Sequence, residues 1–190
     1  RPSGALVHGD LKPRNVRITP GNEIKILDFG IAKALSLSRK VTRNDFGSLP
    51  YMSPERLDSS DTEVGPSADL WALGVILYEL PTGTAPFRAQ DTRRLEQQIR
   101  PGAPRRPLAD DLPVGIRAIS ARLLCASPAA RYATAKAVLE DLERFTSGAT
   151  TEAENEGFPL RVEDVATRRT RRPASDEATR RTRPAPETTP

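Results

Sequence analysis

The chain has 190 residues, enough for one ordinary domain plus an appendage, and a single cysteine, which excludes an internal disulfide framework and fits a reducing compartment. No apolar run reaches the ~18–20 residues a membrane span needs, and no signal peptide is visible at the start. The net charge of +4 is uneven: seven arginines against Asp176 and Glu177 give residues 166–186 a charge of +5, leaving −1 for the rest and excluding a uniformly basic, nucleic-acid-binding domain.

In chain order, Leu6 and Val7 lead into a loop. Val16 and Ile18, then Ile24 and Ile26, alternate with polar residues on either side of Pro20-Gly21-Asn22, which predicts a β-hairpin. Residues 31–50 have no sustained periodicity and are rich in Ser, Arg and Lys, which predicts a long loop; loops of that length are usually functional. Residues 67–80 are apolar on nearly every side, the pattern of a buried helix, with Ser67 as its N-cap, Asp69 in its first turn, and Pro81 and Gly83 as its stop. Three further helices are predicted: a short polar one over 92–100, one over 113–126 with Ile116, Ile119, Leu123 and Leu124 on one side, and one over 134–145 carrying Val138, Leu142 and Phe145. Cys125, in the apolar run 123–126, is expected to be a buried core thiol. The expected fold class is mainly α with a small β-hairpin.

From Ser147 onward Thr, Glu, Arg, Ala and Pro dominate, and large apolar residues are few. Such a stretch buries too little apolar surface to offset its ordering entropy, so the expected organisation is a domain over 1–146 and a disordered basic linker or tail over 147–190. The tail holds an imperfect repeat, Ala-Thr-Arg-Arg-Thr-Arg, starting at Ala166 and again at Ala178. No aromatic side chain interleaves its arginines for base stacking, so no specific nucleic acid is expected as a partner; a solvated linker, a segment drawn to an anionic membrane surface and a Thr-rich phosphorylation site remain as readings.

The chemistry is concentrated in His8-Gly9-Asp10-Leu11-Lys12-Pro13-Arg14-Asn15 and Asp28-Phe29-Gly30. A hairpin turning at 20–22 brings Asn15 and Asp28 together at its open end. An amide carbonyl and a carboxylate there make a hard-oxygen site of the kind Mg²⁺ takes when phosphates complete its shell. Asp10, on the loop entering the hairpin, is placed to accept a proton from a group held at the metal, and Lys12 adds a positive charge. Metal, phosphate, base and cation together describe phosphoryl transfer.

These residues resemble the catalytic loop (H-x-D-L-K-x-x-N) and the D-F-G motif of protein kinases. Residues 47–55, reading Gly-Ser-Leu-Pro-Tyr-Met-Ser-Pro-Glu, resemble the end of the activation segment. Asp69-Leu70-Trp71-Ala72-Leu73-Gly74 resembles the start of the long buried helix of the C-terminal lobe, and Ser127-Pro128-Ala129-Ala130-Arg131 the arginine turn before its last helix. Five motifs in family order and spacing make the resemblance specific.

The resemblance implies that Asp10 is the catalytic base, that Asn15 and Asp28 bind Mg²⁺ and through it ATP, and that Lys12 contacts the transferring phosphate. It implies that Ser48 stands against Asp10 and Lys12, as in serine/threonine kinases. It further implies that Glu55 pairs with Arg131, that Asp69 accepts hydrogen bonds from the catalytic-loop backbone, and that His8 is structural. The implied fold is the C-terminal lobe of a kinase, acting on protein substrates. A glycine-rich phosphate loop and a strand lysine do not precede the motifs, and the chain starts at Arg1 with Met52 its sole methionine. The expectation is a fragment of a serine/threonine kinase, inactive without an N-terminal lobe supplied in cis. A non-catalytic scaffold or binding module derived from that lobe is the alternative. The style of the motifs resembles bacterial membrane-linked kinases, which implies the cytoplasmic part of a membrane-anchored protein. Gly9 stands where many kinases carry an arginine that pairs with a loop phosphate, so less dependence on phosphorylation at Ser36, Ser38 or Thr42 is expected.

Overall fold

The computed structural model describes residues 6–28, 47–58 and 65–158. After an extended loop, Pro13 opens a 3-10 turn, Pro13–Asn15, that hands the chain to strand β1 (Val16–Ile18). β1 pairs antiparallel with β2 (Ile24–Ile26) in the register Val16–Ile26, Arg17–Lys25, Ile18–Ile24. Thr19 N–H donates to Glu23 O and Asn22 N–H to Thr19 O, each at 2.9 Å. The left-handed turn residue is Asn22, φ 62°, rather than Gly21; asparagine tolerates that region through its short polar side chain. Alternation along the strands predicts one buried face, but Ile18 and Ile24 are 69% and 70% exposed, because no described element covers them.

The helices are α1 (Pro54–Asp58), α2 (Pro66–Thr82), α3 (Thr92–Ile99), α4 (Val114–Leu123), α5 (Ala135–Thr146) and α6 (Glu152–Asn155). The described residues are thus mostly helical, with one two-stranded antiparallel sheet. α2 is the axis of the fold. Gly65, not Ser67, is its N-cap and Pro66 occupies the first turn, where a missing N–H is not felt. Pro81 lies inside its last turn, and Gly83, φ 65°, closes it with its N–H on Glu79 O.

One flank of α2 buries Trp71, Val75 and Tyr78 with Phe87, Leu95 and Ile99; the Trp71 and Phe87 rings stack at 5.5 Å. Its other flank sets Leu70 among Ile119, Leu123, Tyr132 and Val138. A helix with a core on both sides carries little amphipathic signal, which is why its sequence is apolar all round. α2 and α4 approach closely at Gly74, where an added Cβ would lie 2.7 Å from Leu123 Cβ. Cys125, expected in the core, is only partly buried, its thiol 3.6 Å from Ala121 O. α4 ends at Leu123, short of it.

The domain boundary expected near Ser147 is too early. Residues 147–158 are structured, and Glu152 and Ala153 are bonded to Asp141 of α5. Thr151 caps α6 reciprocally: its hydroxyl accepts from Glu154 N–H at 3.1 Å, and Glu154 accepts from Thr151 N–H at 2.8 Å. The buried Asp141 carboxylate accepts from Tyr132 O–H at 2.6 Å, from Ala153 N–H at 3.0 Å and from Glu152 N–H. Burial, then the neighbouring Asp141, pushes the Tyr132 phenol well above its ordinary value. Thr151 and Ala153 are fully buried here and Phe158 packs against the same cluster; the first two are small residues that a count of large apolar side chains overlooks. Thr151→Ala is expected to lower stability by about 0.5–2 kcal/mol in urea unfolding. An unchanged midpoint would show that α6 docks without its cap. The rest of the expected tail, 159–190, lies outside the described residues.

Candidate active site

Asp10, Lys12 and Ser48 converge. Lys12 Nζ donates to Asp10 Oδ2 at 2.7 Å and to Ser48 Oγ at 2.6 Å. The Lys12 side chain is 14% exposed and that of Asp10 43%, so the carboxylate keeps an open approach while its cationic neighbour is held. Charge-assisted bonds of this length tie the 47–51 segment to the 8–15 loop.

That loop is anchored mainly through its backbone. Asp69, in the first turn of α2, accepts His8 N–H at 2.7 Å and Gly9 N–H at 2.8 Å. His8 is buried; its Nδ1 accepts Asp10 N–H at 3.2 Å and its Nε2 meets Leu27 O at 2.8 Å, which assigns the proton to Nε2. The imidazole therefore bridges the loop to the end of β2.

Asn15 and Asp28 stand at the open end of the hairpin, where Leu27 N–H donates to Asn15 O at 2.8 Å. Asn15 is buried and donates through Nδ2 to Asp10 O at 2.8 Å, which leaves its carbonyl oxygen as an acceptor. Asp28 is exposed and left-handed, φ 61°. Among the described residues no cluster of three His, Cys, Asp or Glu could hold a metal alone. One carboxylate and one amide oxygen are donor types that Mg²⁺ accepts when phosphate and water supply its remaining ligands. Phe29, Gly30 and the candidate phosphorylation sites Ser36, Ser38 and Thr42 lie outside the described residues.

Glu55 and Arg131 form a bidentate pair, both N–O distances 2.8 Å. The Arg131 side chain is fully buried, also donates to the carbonyls of Ser67, Cys125 and Ala126, and lies over the Trp71 ring. Burial pushes the Glu55 carboxyl up, but the hydrogen bonds and charge of Arg131 outweigh it and leave the group below its ordinary value.

Two features escape a reading of the sequence. Tyr51 O–H donates to the Glu79 carboxylate at 2.9 Å, and the two line a cleft of about 330 Å³ with Lys12, Arg14 and Pro50. Burial raises the Glu79 carboxyl, opposed by the Tyr51 bond. A glutamate in the otherwise apolar run 70–81 is the signal that could have found it. The second is Arg56, whose Nη1 donates to Gly9 O at 2.8 Å.

The protein kinase domain family model matches residues 3–142. The tyrosine-protein kinase MasK of Myxococcus xanthus is 39% identical over 145 residues, covering 75% of this chain and 22% of its own. The serine/threonine-protein kinase PknB of Mycobacterium leprae is 35% identical over 154 residues, 78% of this chain and 24% of its own. The serine/threonine-protein kinase PknA of Mycobacterium tuberculosis is 37% identical over 133 residues, 68% of this chain and 30% of its own. The chain thus spans less than a third of each of these relatives.

Proposed function

Because this chain belongs to the protein kinase domain family, we propose that it is the C-terminal catalytic lobe of an ATP- and Mg²⁺-dependent serine/threonine kinase acting on proteins. The observation that carries the reading is the Asp10–Lys12–Ser48 constellation beside the Asn15–Asp28 end of the hairpin. Asp10 is the base that takes the proton of the substrate hydroxyl, and the open approach to its carboxylate supports that role. Lys12 stabilises charge on the transferring phosphoryl group. Asn15 and Asp28 hold Mg²⁺, which neutralises phosphate charge when bound. Glu55, Arg131 and Asp69 hold the frame. The grip on ATP is not among these motifs, so we propose that residues 1–190 alone transfer little or no phosphate and need a nucleotide-gripping lobe supplied by other sequence.

A cytoplasmic site, as the inner part of a membrane-anchored kinase with its arginine tail at an anionic surface, is a further part of this reading. Its support is the family resemblance and the +5 charge of 166–186.

Because the relatives include both a tyrosine and serine/threonine kinases, the residue phosphorylated is the point to test. Lys12 bonded to Ser48 supports serine and threonine. Phosphoamino-acid analysis of a protein substrate, after incubation of the gene product carrying this chain with labelled ATP and Mg²⁺, is expected to give phosphoserine and phosphothreonine. Phosphotyrosine alone would overturn the specificity. No transfer by a product with an intact nucleotide lobe would favour the scaffold reading, a lobe that docks partners without chemistry.

A further inference from the structure

We propose that Arg56 is a positioning residue for Asp10, acting through the Gly9 carbonyl. Gly9 immediately precedes Asp10 and sits at φ 77°, a left-handed conformation that glycine adopts at no steric cost. With no side chain of its own, it can be held only by its peptide groups, and both are taken. Asp69 Oδ1 accepts its N–H at 2.8 Å, and Arg56 Nη1 donates to its C=O at 2.8 Å. The carbonyl that Arg56 holds belongs to the peptide joining Gly9 to Asp10. Fixing that plane fixes the N–Cα bond of Asp10 and leaves only rotation about it to set where the side chain leaves the backbone.

Arg56 is well placed to do this rigidly. It follows Glu55, whose carboxylate is locked on the fully buried Arg131 side chain. Its guanidinium is half-buried, and the carboxylates of Asp10, Asp69 and Glu55 all act on it. Burial pushes the guanidinium down from its ordinary value and those three carboxylates push back, so a cation is retained among them. A charged donor on a neutral carbonyl is stronger than an amide would be. The 8–15 loop is thereby held from two helices: α2 through Asp69, and α1 through Arg56. The second hold comes from the helix that follows residues 47–53, so the aim of Asp10 depends on the seating of α1.

The inference rests on the kinase reading for its kinetic consequence but not for its structural one, and the test separates them. In the 190-residue chain, Arg56→Met keeps the stem and removes the donors, while Arg56→Lys restores one donor and the charge. Amide hydrogen exchange at residues 8–12 is expected to speed up about tenfold or more in Arg56→Met, with exchange in α2 and α4 unchanged, and to return to within about threefold of wild type in Arg56→Lys. Loop exchange unchanged in Arg56→Met, or accelerated equally in α2 and α4, would overturn the proposal, since the first means no hold and the second a general structural role. In the phosphorylating gene product, Arg56→Met is expected to lower kcat about 10- to 100-fold with KM for ATP unchanged, and Arg56→Lys to recover most of it. A rise in KM for ATP at constant kcat would also overturn it. Absence of transfer by the wild type would count against the kinase reading alone, and the exchange result would still decide the role of Arg56.

Discussion

Glu55→Ala is expected to destabilise the chain by about 3–5 kcal/mol, enough to unfold a marginally stable domain near physiological temperature. The reason is asymmetric burial. The Arg131 side chain has no exposure while that of Glu55 keeps 21%, so removing the acid strands a guanidinium that cannot reach water. Its bonds to the carbonyls of Ser67, Cys125 and Ala126 survive, but these neutral acceptors do not cancel its charge. Arg131→Met is expected to be milder, because the stranded carboxylate is nearer the surface and can protonate. Thermal or urea unfolding of both variants checks the order; equal losses would mean that the depth at which each charge is stranded does not set the cost.

The same pair sets a pH dependence. The Glu55 carboxyl titrates below its ordinary value in the folded state, so its contribution is complete above the unfolded glutamate value, about 4.3, and is lost as pH falls through the lower, folded one. Glu55→Gln should flatten that part of the acid limb.

In the gene product carrying this chain and a nucleotide-gripping lobe, Asp10→Asn is expected to lower kcat for the proposed phosphoryl transfer by about 10²–10⁴-fold, while in the 190-residue chain it leaves the unfolding midpoint almost unchanged. The backbone bonds of residue 10, its N–H on His8 and its carbonyl on Asn15, do not involve the carboxylate. Lys12 also keeps Ser48. The loop should therefore stay in place without its base. A large loss of stability would mark the carboxylate as structural, and an intact kcat would remove it from the proton path.

How far the sequence could be read depended on where each interaction lies along it. Strand pairing around Pro20-Gly21-Asn22 is local, and so is the cap of α5 by Thr134, which accepts Ala137 N–H. Periodicity and turn residues carry such information. The clustering of Asp10, Lys12 and Ser48, and of Glu55 with Arg131, spans up to 76 positions and was approached through motif resemblance alone. Arg56 lies in the motif Tyr51-Met52-Ser53-Pro54-Glu55-Arg56, but its long-range bond to Gly9 leaves no local signal and the motif assigns it no role. The α6 segment failed for a different reason. Its Thr-x-x-Glu capping box is a local signal, but it stands in a stretch whose composition alone predicts disorder.

Asp69 joins two properties that enzymes often keep apart. Catalytic loops are commonly the first parts of a fold to loosen on warming. Here residues 8 and 9 hang from both oxygens of a carboxylate in the first turn of the most deeply buried helix. Loosening the loop means breaking its tie to the structure around which the core is assembled. Heat should therefore silence the site and melt the domain in one cooperative event, leaving no temperature interval in which the lobe is folded but its loop has let go.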